Sequence, residues 1–395
     1  MNIVHIITRL ILGGAQENTL ITCKGLAQRG HKVTLITGPA LGPEGGLFEQ
    51  TQNAGYEVIV LDAMRRAILP WHDLTTYRRL QDLLRTLSPD IVHTHSAKAG
   101  VLGRFAAYAL KGTLPNKPSA APHIVHTIHG LAFHPYQSAL LNRFYIAIER
   151  AAGKRTDAFI SVADTMTEKA RAAGIGLDKP YTTAYSAIEQ DGYRTPPPAE
   201  QIAAFRRQHG LPQDAFVFVC IARLAELKGH PYILESAKTL AKEYPHCRWL
   251  LVGDGALTDR IKSAIAAAGL SDRFSFTGLL PPEQIPLALY ASDALVHCSL
   301  REGLARVLPQ AMLCERPVIS FDIDGAKEVV TPETGFLTEP ENIGQLIAAC
   351  RCLLDNPDLR RRLGENGRAL VNTKFAPDTM VDVIERVYQS LGKSR

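Results

Sequence analysis

Short runs of β-branched and apolar residues alternate along this chain with stretches whose apolar positions recur every three or four residues, a rhythm that predicts strands separated by helices. In the first half the predicted strands are Ile3–Ile7, Val33–Ile36, Glu57–Val60, Ile91–His93, Ile124–Thr127, Ala158–Val162 and Tyr181–Ala184, with helices such as Ala15–Gln28 and Asp73–Leu87 between them. Unbroken apolar strands joined by helical crossovers imply a parallel, doubly wound α/β sheet covered on both faces. The rhythm stops at Thr195-Pro196-Pro197-Pro198, because three successive prolines continue neither a helix nor a central strand. It restarts with strands at Phe216–Ile221, Arg248–Val252, Arg273–Phe276, Ala294–His297 and Pro317–Ser320, and helices at Tyr232–Glu243 and Leu257–Ala268. Residues 1–194 and 195–376 are therefore expected as two domains of similar type. Met380, Ile384, Val387, Tyr388 and Leu391 fall at helical spacing, so 377–395 is expected as a terminal helix packing back on the first domain.

The second half is organised around Ser299–Met312. A β-branched run ends at Val296 and helix-forming Leu, Ala, Gln and Met residues follow, which predicts a strand, a short turn and a helix entered at about Gly303. Glu302 then stands at the helix mouth, with Gln310 about two turns along. Free N–H groups and the positive dipole end at such a mouth suit an anionic group such as a diphosphate, and a carboxylate beside it accepts hydrogen bonds from hydroxyls of the same ligand. A simple helix cap would use the same carboxylate.

Composition narrows the classes. The chain has 395 residues, 46% hydrophobic and 21% charged, which excludes a disordered protein. No apolar run approaches the roughly 20 residues of a membrane span. Met1-Asn2-Ile3-Val4-His5-Ile6-Ile7 reads as a strand rather than a signal peptide, and the seven scattered cysteines form no Cys-x-x-Cys pair, so a cytoplasmic protein with reduced thiols is expected. The net charge of +5 comes from the first half of the chain, the second being close to neutral. That asymmetry fits a surface facing something anionic, a phosphorylated acceptor or the inner face of the cell membrane, and equally an ordinary solvated surface. Arg65, Arg66, Arg78, Arg79 and Arg85 interleave with Ile68, Leu69, Trp71 and Tyr77, as either a peripheral docking surface for anionic lipid or the charged side of a core-facing helix. No basic, aromatic-studded platform marks a nucleic-acid partner.

Several loops carry candidate chemistry. Leu12-Gly13-Gly14-Ala15 ends the first strand with two glycines that either admit a ligand phosphate or sugar close to the backbone or simply make a tight turn. Gly253-Asp254-Gly255 lacks the third glycine of a dinucleotide fingerprint, which argues against a dehydrogenase. His93-Thr94-His95-Ser96-Ala97-Lys98 and His126-Thr127-Ile128-His129 each follow a predicted strand, where open parallel sheets line a ligand crevice. Histidines there contact substrate hydroxyls, act as acid or base, or serve the core; zinc fits less well, since no cysteine or carboxylate completes either pair. Arg223 and Lys228, after the first strand of the second half, make a clamp for a diphosphate or a solvated charged loop. Asp322-Ile323-Asp324-Gly325 runs into a helix predicted near Ala326 and reads as ligand-facing backbone rather than a metal cage.

In order and spacing, these stretches resemble the family-4 retaining glycosyltransferases of the GT-B architecture. The resemblance runs from Leu12-Gly13-Gly14-Ala15 through Asp90–Arg104, Ile128-His129-Gly130, Arg223 to Lys228-Gly229 and Val252-Gly253-Asp254-Gly255 to Glu302-Gly303-Leu304 and Asp324-Gly325. It implies two Rossmann-like domains facing across a cleft that holds the active site, with transfer of a sugar from a nucleotide-sugar donor, retention of anomeric configuration, and neither cofactor nor metal. It further implies that Arg223 and Lys228 hold the donor diphosphate, that Glu302 contacts donor-sugar hydroxyls, and that the N–H groups of Gly303 and Leu304 help bind phosphate. His129 would sit beside the reacting sugar, and Gly14 would let a ligand approach the first domain. Gly253, Gly255 and Gln310 are nucleotide-side candidates; His95, Lys98, Asp324 and Gly325 are further cleft candidates. Two cations stabilise charge developing on a diphosphate leaving group, and no second carboxylate stands out as a nucleophile, which accords with front-face attack by the acceptor hydroxyl.

Two positions depart from the family pattern. Gln310 stands where a second glutamate contacts the nucleotide ribose; an amide keeps the hydrogen bonds but brings no charge. Ser186-Ala187-Ile188-Glu189 replaces an Asn-Gly-x-Asp turn. The expected activity is transfer from a UDP-sugar to a glycan or lipid-linked acceptor in polysaccharide or glycolipid synthesis. The alternatives are a GT-B UDP-sugar epimerase and a non-catalytic two-domain ligand-binding protein.

Overall fold

The run Asn-Ile-Val-His-Ile-Ile has no face suited to water, and as β1 (Asn2–Ile7) it is buried almost throughout. In the computed structural model, which describes residues 1–41, 46–110 and 121–393, β1 lies inside a seven-stranded parallel sheet with β2 (Lys32–Thr37), β3 (Glu57–Val60), β4 (Ile91–His95), β5 (His123–Ile128), β6 (Ala158–Ser161) and β7 (Tyr181–Thr183). The strand order is β3-β2-β1-β4-β5-β6-β7. A second parallel sheet contains β8 (Phe216–Ile221), β9 (Cys247–Val252), β10 (Phe274–Gly278), β11 (Ala294–His297), β12 (Val318–Phe321) and β13 (Gly335–Thr338), in the order β10-β9-β8-β11-β12-β13. β13 had no counterpart in the sequence reading: four residues opening on a glycine show no periodicity, and the strand exists because it pairs along the edge of β12.

The chain divides into one unit of Met1–Ala187 with Pro377–Arg395 and another of Ile188–Ala376. The change therefore precedes the proline run, which joins the short helix Asp191–Arg194 to the helix Ala199–Gln208 inside the second unit. Contacts rather than prolines set the boundary. The Ile188 N–H donates to the Phe375 carbonyl (3.0 Å), and the carbonyl of buried Tyr193 accepts from the Tyr290 hydroxyl (2.7 Å).

Strand alternation sorts the first unit's core into two layers. Ile3, Ile7, Ile91 and Val125 pack under α1 (Gly14–Gln28) and the terminal helix Pro377–Lys393. Val4, Ile6, Val92 and Ile124 pack under α2 (Pro70–Leu87) and α3 (Ala97–Tyr108). The terminal helix buries Met380, Val381, Ile384, Val387 and Tyr388. A Cβ on Gly25 would come within 2.7 Å of Val381, so glycine sets how closely α1 and the terminal helix approach. Across α3, fully buried Arg104 pairs with Glu149 of α4 (Ala139–Gly153) at 2.7 Å. All seven cysteines are free thiols, six of them buried.

One polar contact pins the terminal helix to the sheet. His93 Nδ1 lies 2.5 Å from the Tyr388 hydroxyl, and its Nε2 lies 2.6 Å from Thr127 Oγ1, all three residues being buried. Tyr388→Phe removes a partner from a buried ring nitrogen and is expected to cost about 1–3 kcal/mol, measured by urea unfolding. Burial also pushes His5 down to about 3 and holds His93, His95 and His126 well below the ordinary value of 6.5. The unfolded chain then binds protons that the folded chain refuses, so stability is full above pH 6.5 and falls as the pH drops below it. Each of these histidines contributes up to about 1.4 kcal/mol per pH unit, so the melting temperature should decline steeply as the pH falls from 6.5 towards about 3.

Candidate active site

In the second unit the site begins with a contact that no side chain allows. Gly229 has φ 77°, and a Cβ there would lie 1.8 Å from the Cys298 carbonyl oxygen. Glycine thus lets the loop after β8 press against the end of β11, where the Leu300 N–H donates to the Leu227 carbonyl (2.8 Å) and Ser299 Oγ lies 3.1 Å from that oxygen. That seam brings Lys228 Nζ to 2.5 Å from Glu302 Oε1. The same oxygen accepts from Ser299 Oγ (2.8 Å) and has His297 Nε2 at 3.6 Å, whereas no described residue bonds Oε2. Burial alone would raise the Glu302 pKa, but Lys228 and His297 outweigh it and hold the carboxyl well below the usual range, so it is ionised at neutral pH.

The backbone on either side of Glu302 is tied to the loop after β12. The Glu302 N–H donates to Asp324 Oδ2 (2.6 Å), and the Gly325 N–H donates to the Gly303 carbonyl (3.0 Å). The second bond bears on the sequence reading, because a Gly303 carbonyl spent on a neighbouring loop is withheld from the helical hydrogen bond it would otherwise accept. An N–H at a helix start has no intrahelical acceptor in any case. The helix expected from about Gly303 starts only at Val307 and ends at Leu313. Glu302, Gly303 and Leu304 lie on the connecting loop, not in a first helical turn, and Gln310 is half-buried on the short helix. The helix predicted near Ala326 is a 3₁₀ turn, Asp324–Glu328, and the Asp324 carboxylate is engaged by the Glu302 backbone.

Gly253 and Gly255 have packing reasons of their own. A Cβ would fall 2.2 Å from the Ala222 carbonyl at Gly253 and 2.4 Å from the Leu224 carbonyl at Gly255. They let the β9 loop close under the loop carrying Arg223, which is exposed. His230 was missed in the sequence. It is buried, neither ring nitrogen has a hydrogen-bond partner among the described residues, and burial, then Lys228 and His297, lowers its pKa to about 4. His297 was missed too, although a histidine closing the run Ala-Leu-Val-His is a visible break in an apolar strand.

In the first unit the structure joins His95 and His129: His95 Nδ1 lies 3.0 Å from His129 Nε2. His5, which the sequence reading passed over, extends the contact, its Nδ1 lying 2.9 Å from His95 Nε2. His126 points to the other face, bonding Thr94 Oγ1 (2.9 Å) beneath α3, and does not join this group. Lys98 is paired with Asp73 and the Ala67 carbonyl, which ties α3 to α2. Gly14 opens α1, and Gly13 is in extended backbone at φ 172°, a conformation open to any residue.

Two family models match the chain. The one described as "Glycosyl transferases group 1" covers residues 201–370, and "Glycosyl transferase 4-like domain" covers residues 13–180. The chain belongs to the family-4 glycosyltransferases of the GT-B fold. Among curated relatives it is 27% identical to an alpha-D-kanosaminyltransferase of Streptomyces kanamyceticus, over 76% of this chain and 77% of that one. It is also 27% identical to the UDP-Gal:alpha-D-GlcNAc-diphosphoundecaprenol alpha-1,3-galactosyltransferase of Escherichia coli, over 98% and 96%. Among solved structures, Anabaena HepE in complex with UDP and glucose superposes with a TM-score of 0.82 at 20% identity, covering 99% of this chain and all of that one.

The seam at Gly229 yields a direct test. Gly229→Ala forces the two loops apart and is expected to destabilise the protein by more than about 2 kcal/mol. It should also weaken stabilisation by nucleotide, compared by thermal unfolding with and without ligand.

Proposed function

We propose that this glycosyltransferase is a retaining, metal-independent enzyme that moves a sugar from a UDP-sugar to a hydroxyl of a glycan or lipid-linked acceptor. The observation that carries the reading is the Lys228–Glu302 pair, a cation and an ionised carboxylate held together on adjoining loops with one carboxylate oxygen left for a ligand. In use, Arg223 and Lys228 take the charge of the donor diphosphate, and Glu302 accepts hydrogen bonds from sugar hydroxyls. The bond from the anomeric carbon to the diphosphate oxygen breaks as the acceptor oxygen bonds that carbon on the same face. The acceptor's proton passes to the departing phosphate oxygen, so no side-chain nucleophile is needed. The two cations supply the charge that a divalent ion would otherwise bring. His129 lies beside the transferred sugar.

The UDP assignment leans on the E. coli relative, whose name specifies UDP-Gal and which aligns over nearly the whole chain. A GDP-mannose-dependent mannosyltransferase of Corynebacterium glutamicum, 28% identical over 203 residues, makes GDP the alternative to test. No helix of the described residues is long and apolar enough to cross a membrane, so reaching a lipid-linked acceptor calls for peripheral contact. Ile68, Leu69, Trp71 and Leu74 at the start of α2 are exposed, Trp71 at 81%, and Arg66, Arg78 and Arg79 are exposed near them in sequence. These supply apolar and basic groups for an anionic lipid surface.

Thermal unfolding with UDP, GDP and ADP, each with and without EDTA, should show a rise with UDP alone, unchanged by EDTA. A rise with GDP alone would replace the donor, and a rise abolished by EDTA would sink metal independence. Arg223→Ala and Glu302→Gln should each lower transfer at least about a hundredfold with the fold retained, judged by activity alongside circular dichroism. Trp71→Ala should reduce co-sedimentation with vesicles containing anionic lipid, while equal binding by the variant would remove α2 from the contact.

A further inference from the structure

On the face of the first sheet beneath the terminal helix, imidazoles stand where the pattern calls for aliphatic side chains. His5 and His93 are cross-strand neighbours on β1 and β4. His95 follows two residues on, opposite Thr127 of β5, and His129 lies two residues beyond Thr127. The rings of His5, His95 and His129 form a chain: Nδ1 of His5 to Nε2 of His95 at 2.9 Å, then Nδ1 of His95 to Nε2 of His129 at 3.0 Å. At its inner end, Nε2 of His5 is buried without a hydrogen-bond partner among the described residues. Burial keeps His5 and His95 neutral at physiological pH.

A neutral imidazole has one N–H, and each link joins Nδ1 of one ring to Nε2 of the next. With all three rings neutral, both links form only if each carries its proton on the same-named nitrogen. With protons on Nε2, His5 would bury an N–H that has no acceptor; with protons on Nδ1 it buries only an unused lone pair. Orphaned buried N–H groups are the rarer of the two. We propose that His95, backed by His5, is a positioning residue that locks His129 as the Nδ1–H tautomer, so that this ring offers the sugar a hydrogen-bond donor and does not act as a base. The purpose, though not the lock, rests on placing His129 beside the transferred sugar.

A metal site would use some of the same atoms, since one ligand nitrogen from each of His5, His93 and His95 lies within 4.8 Å of the others. However, both nitrogens of His93 already bond Tyr388 and Thr127, His5 and His95 bond each other, and the trio brings no negative charge to offset a buried dication.

The test is long-range proton–nitrogen NMR of the full chain labelled with ¹⁵N-histidine, with and without EDTA. The wild-type protein should show His5, His95 and His129 as single Nδ1–H tautomers, with no change on adding EDTA. His95→Leu should return His129 to a mixture of tautomers, and His5→Asn, whose amide can accept from His95, should let Nε2–H forms appear along the chain. Nε2–H rings in the wild type, an unmoved His129 in His95→Leu, or signals that shift with EDTA would each overturn the lock. With UDP-sugar, His95→Leu should lower kcat about tenfold while the donor KM stays within about twofold. A lock confirmed by NMR with kcat unchanged would overturn its catalytic purpose, whereas failure of the transferase reading would appear separately, as no nucleotide response in the wild type.

Discussion

A parallel sheet cannot leave a face in water, and the first unit is shaped by meeting that requirement from both ends of the chain. α2 and α3 cover one face, while α1 covers only part of the other. The remainder is closed by Pro377–Lys393, whose Met380, Val381, Ile384, Val387 and Tyr388 complete the layer begun by Ile3, Ile7 and Leu20. This layer also contains the polar ladder of His5, His93, His95 and Thr127. Tyr388 both buries apolar area and supplies a hydroxyl to His93, so covering the face and satisfying its polar groups depend on the same helix. Polar groups here carry the full cost of burial unless paired.

The second unit solves a different problem, the placing of opposite charges on separate loops. Its sheet sends the loops after β8, β11 and β12 out at the same end, and close backbone approach locks them together. Gly229 allows the contact with Cys298, and the Glu302 and Gly303 backbone is bonded to Asp324 and Gly325. Lys228 and Glu302 meet as a result of those seams. A ligand that takes both partners finds them already oriented, which lowers the ordering cost of binding.

The order of the strands in each sheet came only from their pairing, but most of the strand positions were legible because they rest on apolar runs, which burial on both faces demands. Gly335–Thr338 was not, since an edge strand of four residues is created by its neighbour rather than by its own pattern. The late start of the helix at Val307 was hidden for a similar reason: local propensity favours a helix from Gly303, whereas the Gly303 carbonyl is taken by the Gly325 N–H of a distant loop. Among the candidate residues, Arg223, Lys228, Glu302 and His129 came from the family resemblance carried by their motifs. His5, His297 and His230 required coordinates, although His5 and His297 each break an apolar strand, the kind of local inconsistency that marks a functional or strained position. The proline run marks a boundary in sequence because it breaks helix and strand locally, whereas the contacts of Ile188 and Tyr193 that set the boundary join residues far apart in the chain.

The helix that completes the first unit is synthesised only after the whole of the second unit. Domains generally fold as units as they leave the ribosome, N-terminal ones first. Here the order is inverted: Ile188–Ala376 is a continuous segment and has all its residues once Ala376 has emerged, while Met1–Ala187, made earlier, lacks part of its cover until Pro377–Lys393 follows. During that interval the face bearing Ile3, Ile7 and the histidine ladder is uncovered. Nascent first units are thus exposed to chaperones, or to each other, for as long as the ribosome takes to make the second.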